Sequence, residues 1–423
     1  MRFLRIGIYT LVVFAVLAHG AVEDWARAVL VIGSSFLFLA WAVYAYLQNE
    51  EKFFLSPLLL PLFVLALIVL GQWALHATAS SYHTKLELQL LLAYLLLLFL
   101  TVQAFRTIDD WRTFAWFIMI LGFAVSTFGV LQHLTFNGKL YWIREMRYGG
   151  IPFGPYANRN HFAGFAELAI PMALVPMALG KVRRERWFVV GLFAIMPIVA
   201  LIMSASRGGI IAVGVQVVFL AVWMAFRRTA GKQLLAGGVL VLVALLMVSW
   251  LGVRKTLDRF ASLQTLEASQ SKRTSMRHDT WRMFLDHPWT GTGLGTLQTV
   301  FPKYETNYDG KIVNHTHNDY LEALAETGVF GAACCAWFLG VLFLEGWKRL
   351  RSSDNSFVAI LHFSALAACI GFLVHSFVDF NLHIPANALL FFLMAHLATI
   401  EIRKVTQSPP SSARRRHHHR RNH

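Results

Sequence analysis

The sequence predicts an all-α polytopic membrane protein of about twelve transmembrane helices, and three observations predict it. Of 423 residues, 57% are hydrophobic and 14% charged, where a water-soluble protein carries nearer a quarter charged residues. Apolar runs of roughly 18–25 residues recur along the chain, each long enough to cross a bilayer core of about 30 Å. Basic residues cluster in alternate connections between those runs, the pattern of a chain that crosses repeatedly with its positive loops inside.

Hydropathy places the spans near 4–20, 26–47, 53–75, 86–105, 112–134, 161–180, 187–203, 208–226, 233–252, 322–346, 357–378 and 386–401. The first follows Arg2 and Arg5 and ends at Ala18, His19, Gly20 and Ala21 without a clear small-residue cleavage site. It reads as a retained helix with a cytoplasmic amino terminus. The connections expected inside include "KVRRER" at 181–186, "RRTAGK" at 227–232 and "KRLR" at 348–351; "NEEK" at 49–52 is the nearly neutral exception. Opposite loops at 20–25, 76–85 and 379–385 hold almost no Lys or Arg. The net charge of +15 is thus mainly a topology signal, and no nucleic-acid partner is expected.

The expected divisions are helices 1–9 over 1–252, with an outward loop at 135–160, then a large outward, periplasmic loop over 253–320 between helices 9 and 10. Helices 10–12 follow over 321–402, and a basic cytoplasmic tail over 403–423 lies against anionic headgroups. Both termini fall inside. Connections beyond about 15 residues usually carry function, so the two long outward loops are where chemistry is expected. Cys334, Cys335 and Cys369 lie in apolar runs and read as small, inert side chains, with neither a disulfide framework nor zinc spacing.

Residues 314–331 read "NHTHNDYLEALAETGVFG". Asn318 or Asp319 can cap a helix entering the membrane, with Glu322 in its first turn. His317 then sits just outside the helix, where a neutral imidazole can accept a proton from a hydroxyl nucleophile. Gly328 and Gly331 allow close helix packing. Two further readings stay open: His315 and His317 as interfacial histidines bonded to loop backbone, or as a His-x-His metal pair with Asp319. No third ligand cluster stands out beside that pair.

Arg207, in "SASRGG", lies at an outward junction of two apolar spans, where an arginine is costly and usually partnered. Its forked guanidinium suits a diphosphate, and Gly208 and Gly209 would let backbone approach such a ligand. In "SKRTSMRHDTWRMFLDHP", Arg277, Trp281 and Phe284 share a helical stripe, so an interfacial helix can aim Arg277 inward. Arg273 falls on the same stripe and reads as part of a solvated basic face. "GTGLGT" at 291–296 lacks the Lys-Ser/Thr of a phosphate loop and reads as a turn. "YANRNHFAG" opens a helix with Arg159, Asn160 and His161 near its positive end, where an anion could bind, although capping explains the asparagines.

These residues resemble those of the O-antigen ligase and O-antigen polymerase superfamily of bacterial membrane glycosyltransferases, and the likeness covers most of the chain. The most specific match is a ligase histidine motif: His317, Asn318, then Gly328 and Gly331. The ligase form continues with two threonines where this chain has Ala332 and Ala333, a departure that bears on strict lipopolysaccharide ligases more than on the superfamily. "SRGG" at 206–209 and the RxxxW of Arg277 and Trp281 are similar to the family's arginine motifs.

The resemblance implies a GT-C-like fold in the bacterial inner membrane with a periplasmic active site. It implies an undecaprenyl-diphosphate-linked glycan as donor, held by Arg207 and Arg277, and His317 as general base. The acceptor would be lipid A-core or another lipid-linked glycan, and no nucleotide sugar, cofactor or metal ion is expected. Asn318, Arg159, Asn160 and Asp379 are supporting candidates. Two alternatives stay open. One is a protein O-oligosaccharyltransferase. The other is a small-anion transporter, for which Glu167, His375 and Asp379 are the candidate buried groups, expected nearer helix ends than midplanes.

Overall fold

The computed structural model describes residues 1–49, 53–145, 151–226, 263–353 and 356–402. Among them the regular structure is helical, without a strand. The long helices are α1 (Arg2–Leu17), α2 (Asp24–Leu47), α3 (Leu59–Ala74), α4 (Ser81–Ala104), α5 (Ile108–Leu134), α6 (Arg159–Ala178), α7 (Trp187–Met203), α8 (Arg207–Phe226), α9 (Leu263–Asp286), α10 (Asp319–Ser352), α11 (Ser356–His375) and α12 (Pro385–Thr399). Helices stand at eleven of the twelve expected spans. The span at 233–252, the basic stretch at 227–232 and the tail over 403–423 lie outside the described residues. Among the described residues, eight helices are long and apolar enough to cross a membrane, α3 and α12 being shorter apolar helices.

Water cannot satisfy backbone groups inside a bilayer, so helices that bond internally are the expected solution. Their packing sorts into an inner and an outer set. α6 and α12 are buried over nearly their whole length, and α11 packs against both of them and against α8. α2 lies outermost, presenting Ile32, Phe36, Leu39 and Val43 outward. In water such a stripe would be unfavourable; against acyl chains it is the expected surface.

The connections gather at two ends. At one, Arg5 pairs with Asp110, Arg106 covers the Phe54 ring and Arg349 meets the Thr399 carbonyl and Glu401. At the other, Arg144 pairs with Glu23, the Tyr141 hydroxyl donates to the Leu17 carbonyl and Ala79 N–H donates to the Thr292 carbonyl at 2.8 Å. The candidate site belongs to this second end.

The glycine run at 291–296 is a turn. Gly291, Gly293 and Gly295 take φ of 71°, 110° and 78°, and Glu326 accepts from the N–H groups of Gly295 and Leu297, both at 2.8 Å. α10 kinks where this turn touches it: Gly328 has φ 63° and ψ −168°. The freed Val329 N–H donates to the Pro288 carbonyl at 2.9 Å. A Cβ on Gly328 would strike the Trp289 carbonyl, so the motif's first glycine serves a kink against the loop rather than plain helix packing.

Candidate active site

The start of α10 and the turn after α11 meet through backbone and side chains. Asn318 is the cap, its Oδ1 accepting the Leu321 N–H at 3.0 Å. The Asp319 N–H donates to the Ser376 carbonyl at 3.0 Å, which joins the two segments. His317 precedes the cap with φ 53°, a left-handed backbone that is uncommon for a residue bearing a Cβ and concentrates at functional sites.

His317 Nδ1 lies 3.1 Å from Asp379 Oδ1. The other Asp379 oxygen accepts from Asn160 Nδ2 at 2.6 Å, so α6, the α11 turn and the loop before α10 meet at one carboxylate. Asp379 is 1% exposed. Burial alone would raise its carboxyl, but the hydrogen bond from His317 and the neighbouring imidazoles hold it well below the usual carboxylate range. An ionised carboxylate only accepts, so His317 Nδ1 carries the proton and Nε2 keeps a lone pair. The Phe380 ring braces the site, with His161, His315 and His317 at 4.7, 4.3 and 5.0 Å.

The alternative reading of a His-x-His metal pair with Asp319 does not hold. His317 turns to Asp379, whereas His315 Nδ1 meets Glu322 Oε1 at 2.6 Å. Asp319 instead faces His383, with Oδ1 2.9 Å from Nδ1. Burial alone would lower His383; the carboxylates of Glu322 and Asp319 prevail and push it up to about 10.

Arg273 reaches the same turn. Arg273 Nη1 donates to the Val378 carbonyl at 3.0 Å, beside Asp379, so the solvated-face reading of Arg273 is replaced by a contact at the site. Arg277 follows one helical turn later. Burial and the Arg273 charge both lower its guanidinium, and its buried Nε has no hydrogen-bond partner among the described residues. The stripe itself is corrected: Met276, Thr280, Met283 and Phe284 form the buried face, whereas Trp281 is 45% exposed.

Arg207 is exposed at the first position of α8. A Cβ on Gly208 would strike the His375 imidazole, and one on Gly209 would strike Ala163 and Glu167. These glycines therefore admit neighbouring helices, which replaces the expectation that they admit a ligand. Arg159 opens α6, its N–H donating to the Ile151 carbonyl at 2.9 Å. Glu167 is another correction: it is the ninth residue of the twenty in α6, far from either end, and its Oε1 meets His375 Nδ1 at 2.7 Å.

Sequence reasoning missed Glu322 as a histidine partner, His383, and the bracing ring of Phe380. The one available signal was the polar interruption "DFNLH" at 379–383 between two apolar runs. Beside the site, α3, α4, α10 and α12 enclose an apolar cavity of about 370 Å³ that reaches Asp319 and His383.

No curated protein matches the chain. A family model described as O-antigen ligase matches residues 172–336. That stretch contains Arg207, Arg273, Arg277 and His317, while Asn160 and Asp379 lie outside it. Over this segment, less than half of the chain, the protein is similar to the O-antigen ligase family.

Proposed function

We propose that the protein transfers or polymerises a glycan from an undecaprenyl-diphosphate donor onto a sugar hydroxyl at the periplasmic face of the inner membrane. The observation that carries this reading is the His317–Asp379 pair set at a turn that Arg273 also reaches. A base and a cationic flank are the two elements that displacement of a diphosphate requires. His317 Nε2 takes the acceptor hydroxyl proton as that oxygen attacks the anomeric carbon. The bond from that carbon to the diphosphate oxygen breaks, and the lipid diphosphate leaves with its charge held by Arg207, Arg277 and Arg273. Asn318 caps the helix that presents His317, and Asn160 fixes Asp379. Arg159 lies at the α6 start beside Asn160, where its charge would favour an anionic donor. No metal ion is needed at the reacting atoms, because guanidinium groups supply the positive charge. Direct displacement inverts the anomeric centre, so a product keeping the donor's configuration would exclude it.

Purified protein is offered a lipid-diphosphate glycan and candidate acceptors in buffer without magnesium or manganese. Transfer by wild type that disappears in His317→Ala supports the reading. Modification of a protein hydroxyl in place of a sugar would move it to O-oligosaccharyltransfer. No transfer to any acceptor, combined with anion uptake into liposomes, would replace it with transport.

A further inference from the structure

Beside the His317–Asp379 pair stands a second cluster that the transfer reaction leaves unused. His315, Glu322 and His383 each offer one ligand atom within 4.8 Å of the other two. His315 Nδ1 lies 2.6 Å from Glu322 Oε1, and His383 Nε2 lies 3.3 Å from the same oxygen. The other Glu322 oxygen accepts from the Thr316 N–H at 2.9 Å and the Thr316 hydroxyl at 3.2 Å, so Oε1 alone faces the imidazoles.

Hydrogen-bond accounting shows that this arrangement needs a cation at His383 Nε2. Asp319 accepts at His383 Nδ1, so that nitrogen carries a proton. In a neutral ring Nε2 then points a lone pair at a carboxylate oxygen, and two lone pairs at 3.3 Å repel. A cation must lie between them, either a second ring proton or a metal ion. Three features favour a metal. The donor set is two imidazoles and one single-oxygen carboxylate, which suits zinc and similar ions. The 3.3 Å between His383 Nε2 and Glu322 Oε1 matches the ligand spacing of about 3.4 Å around a tetrahedral ion with bonds of about 2.0–2.2 Å, and the 2.6 Å from His315 to the same oxygen has to open by less than about 1 Å to admit one. Asp319 fixes the tautomer and aim of His383 as second carboxylates do at histidine-metal sites.

We propose that His315, Glu322 and His383 bind a divalent ion of the zinc class, with Asp319 orienting His383. The ion ties the loop before α10 to the turn after α11. His317 lies two residues from one ligand, in a left-handed backbone conformation, so the ion acts as a clamp that positions it. It is not a reactant, since His317 already faces Asp379. The assignment stands independently of the transfer reaction.

The test uses the full chain in detergent, stripped with chelator, freed of it and reloaded with Zn²⁺ or Co²⁺. Histidines of the tail, His417, His418 and His419, will also hold metal, so every protein compared retains them. Wild type and His317→Ala should each hold about one zinc equivalent more than His383→Ala. Asp319→Asn should bind roughly 10–100-fold more weakly. Zn²⁺ should raise the unfolding temperature of wild type and leave that of His383→Ala unchanged, and Co²⁺-loaded wild type should show the intense visible bands of a four-coordinate site. Equal metal in wild type and His383→Ala, or wild type without a zinc-dependent thermal shift, would overturn the site and leave His383 as a half-buried imidazolium. If His383→Ala does not fold, the thermal shift and cobalt spectrum of wild type decide alone.

Discussion

Asp379 holds His317 with one carboxylate oxygen and Asn160 with the other, across 62 and 219 positions of chain. A buried carboxylate this committed does not serve as the proton acceptor itself. It fixes which nitrogen of His317 faces the acceptor. Asp379→Asn is expected to cut turnover by roughly 10²–10⁴-fold, the range of general-base contributions, with little change in donor affinity. The double variant with His317→Ala should be no worse than His317→Ala alone, because the two residues act as one unit. Steady-state kinetics on the three proteins check this.

Arg273 and Arg277 stand one helical turn apart and raise each other's electrostatic cost, which an anion relieves. Removing either should weaken donor binding. Charge-assisted hydrogen bonds contribute about 1.5–3 kcal/mol, so each alanine variant should lose roughly 10–100-fold in donor affinity, measured by direct lipid-diphosphate binding. Arg273→Ala matching wild type would return that residue to the solvated face.

Gly328 and Gly340 lie in one helix and should respond oppositely to alanine. At φ 63°, with the Trp289 carbonyl in the way, Gly328→Ala costs about 1–3 kcal/mol and should lower the unfolding temperature in detergent. Gly340 has open space where a Cβ would stand, so its alanine should be neutral or stabilising by about 0.5–1 kcal/mol.

Glu167 and His375 form a pair with both side chains at most 1% exposed. Glu167→Ala strands the imidazole and is expected to cost about 3–5 kcal/mol. Glu167→Gln keeps a partner for it and should cost less. Chemical denaturation of the variants in mixed micelles separates the two.

Much of this was legible in the sequence, for physical reasons that also set the limits. Span lengths follow bilayer thickness, so α7 was read at its observed bounds and most others within a few residues. The glycine run and Asn318 obey local backbone rules, and they read correctly. What failed depended on distance along the chain. His383 and Glu322 are 61 positions apart in the numbering, and no local rule links them. Glu167 was misjudged in depth: the span expected at 161–180 sets it seventh, whereas α6 begins at Arg159 and sets it ninth of twenty. α9 is a mostly polar helix, and its stripe shifted by one position exchanges Trp281 for Thr280. Arg273 was misread with it, since a basic residue before an arginine looks solvated until the turn it touches is known.

The position of α6 has a consequence for biosynthesis. It is enclosed by α11 and α12, and its Glu167 pairs with a residue 208 positions later. At roughly 5–20 residues per second, its final neighbours emerge about 10–40 s after it does. During that interval an acidic side chain must wait in or near the bilayer without its histidine, a costly state that invites a chaperone, a temporary helix partner or protonation. The middle of this protein is therefore assembled last. A ribosome stalled before residue 375 would leave a chain with α6 inserted, its Glu167 unpaired and its α12 packing missing, the form that membrane quality control would be expected to remove.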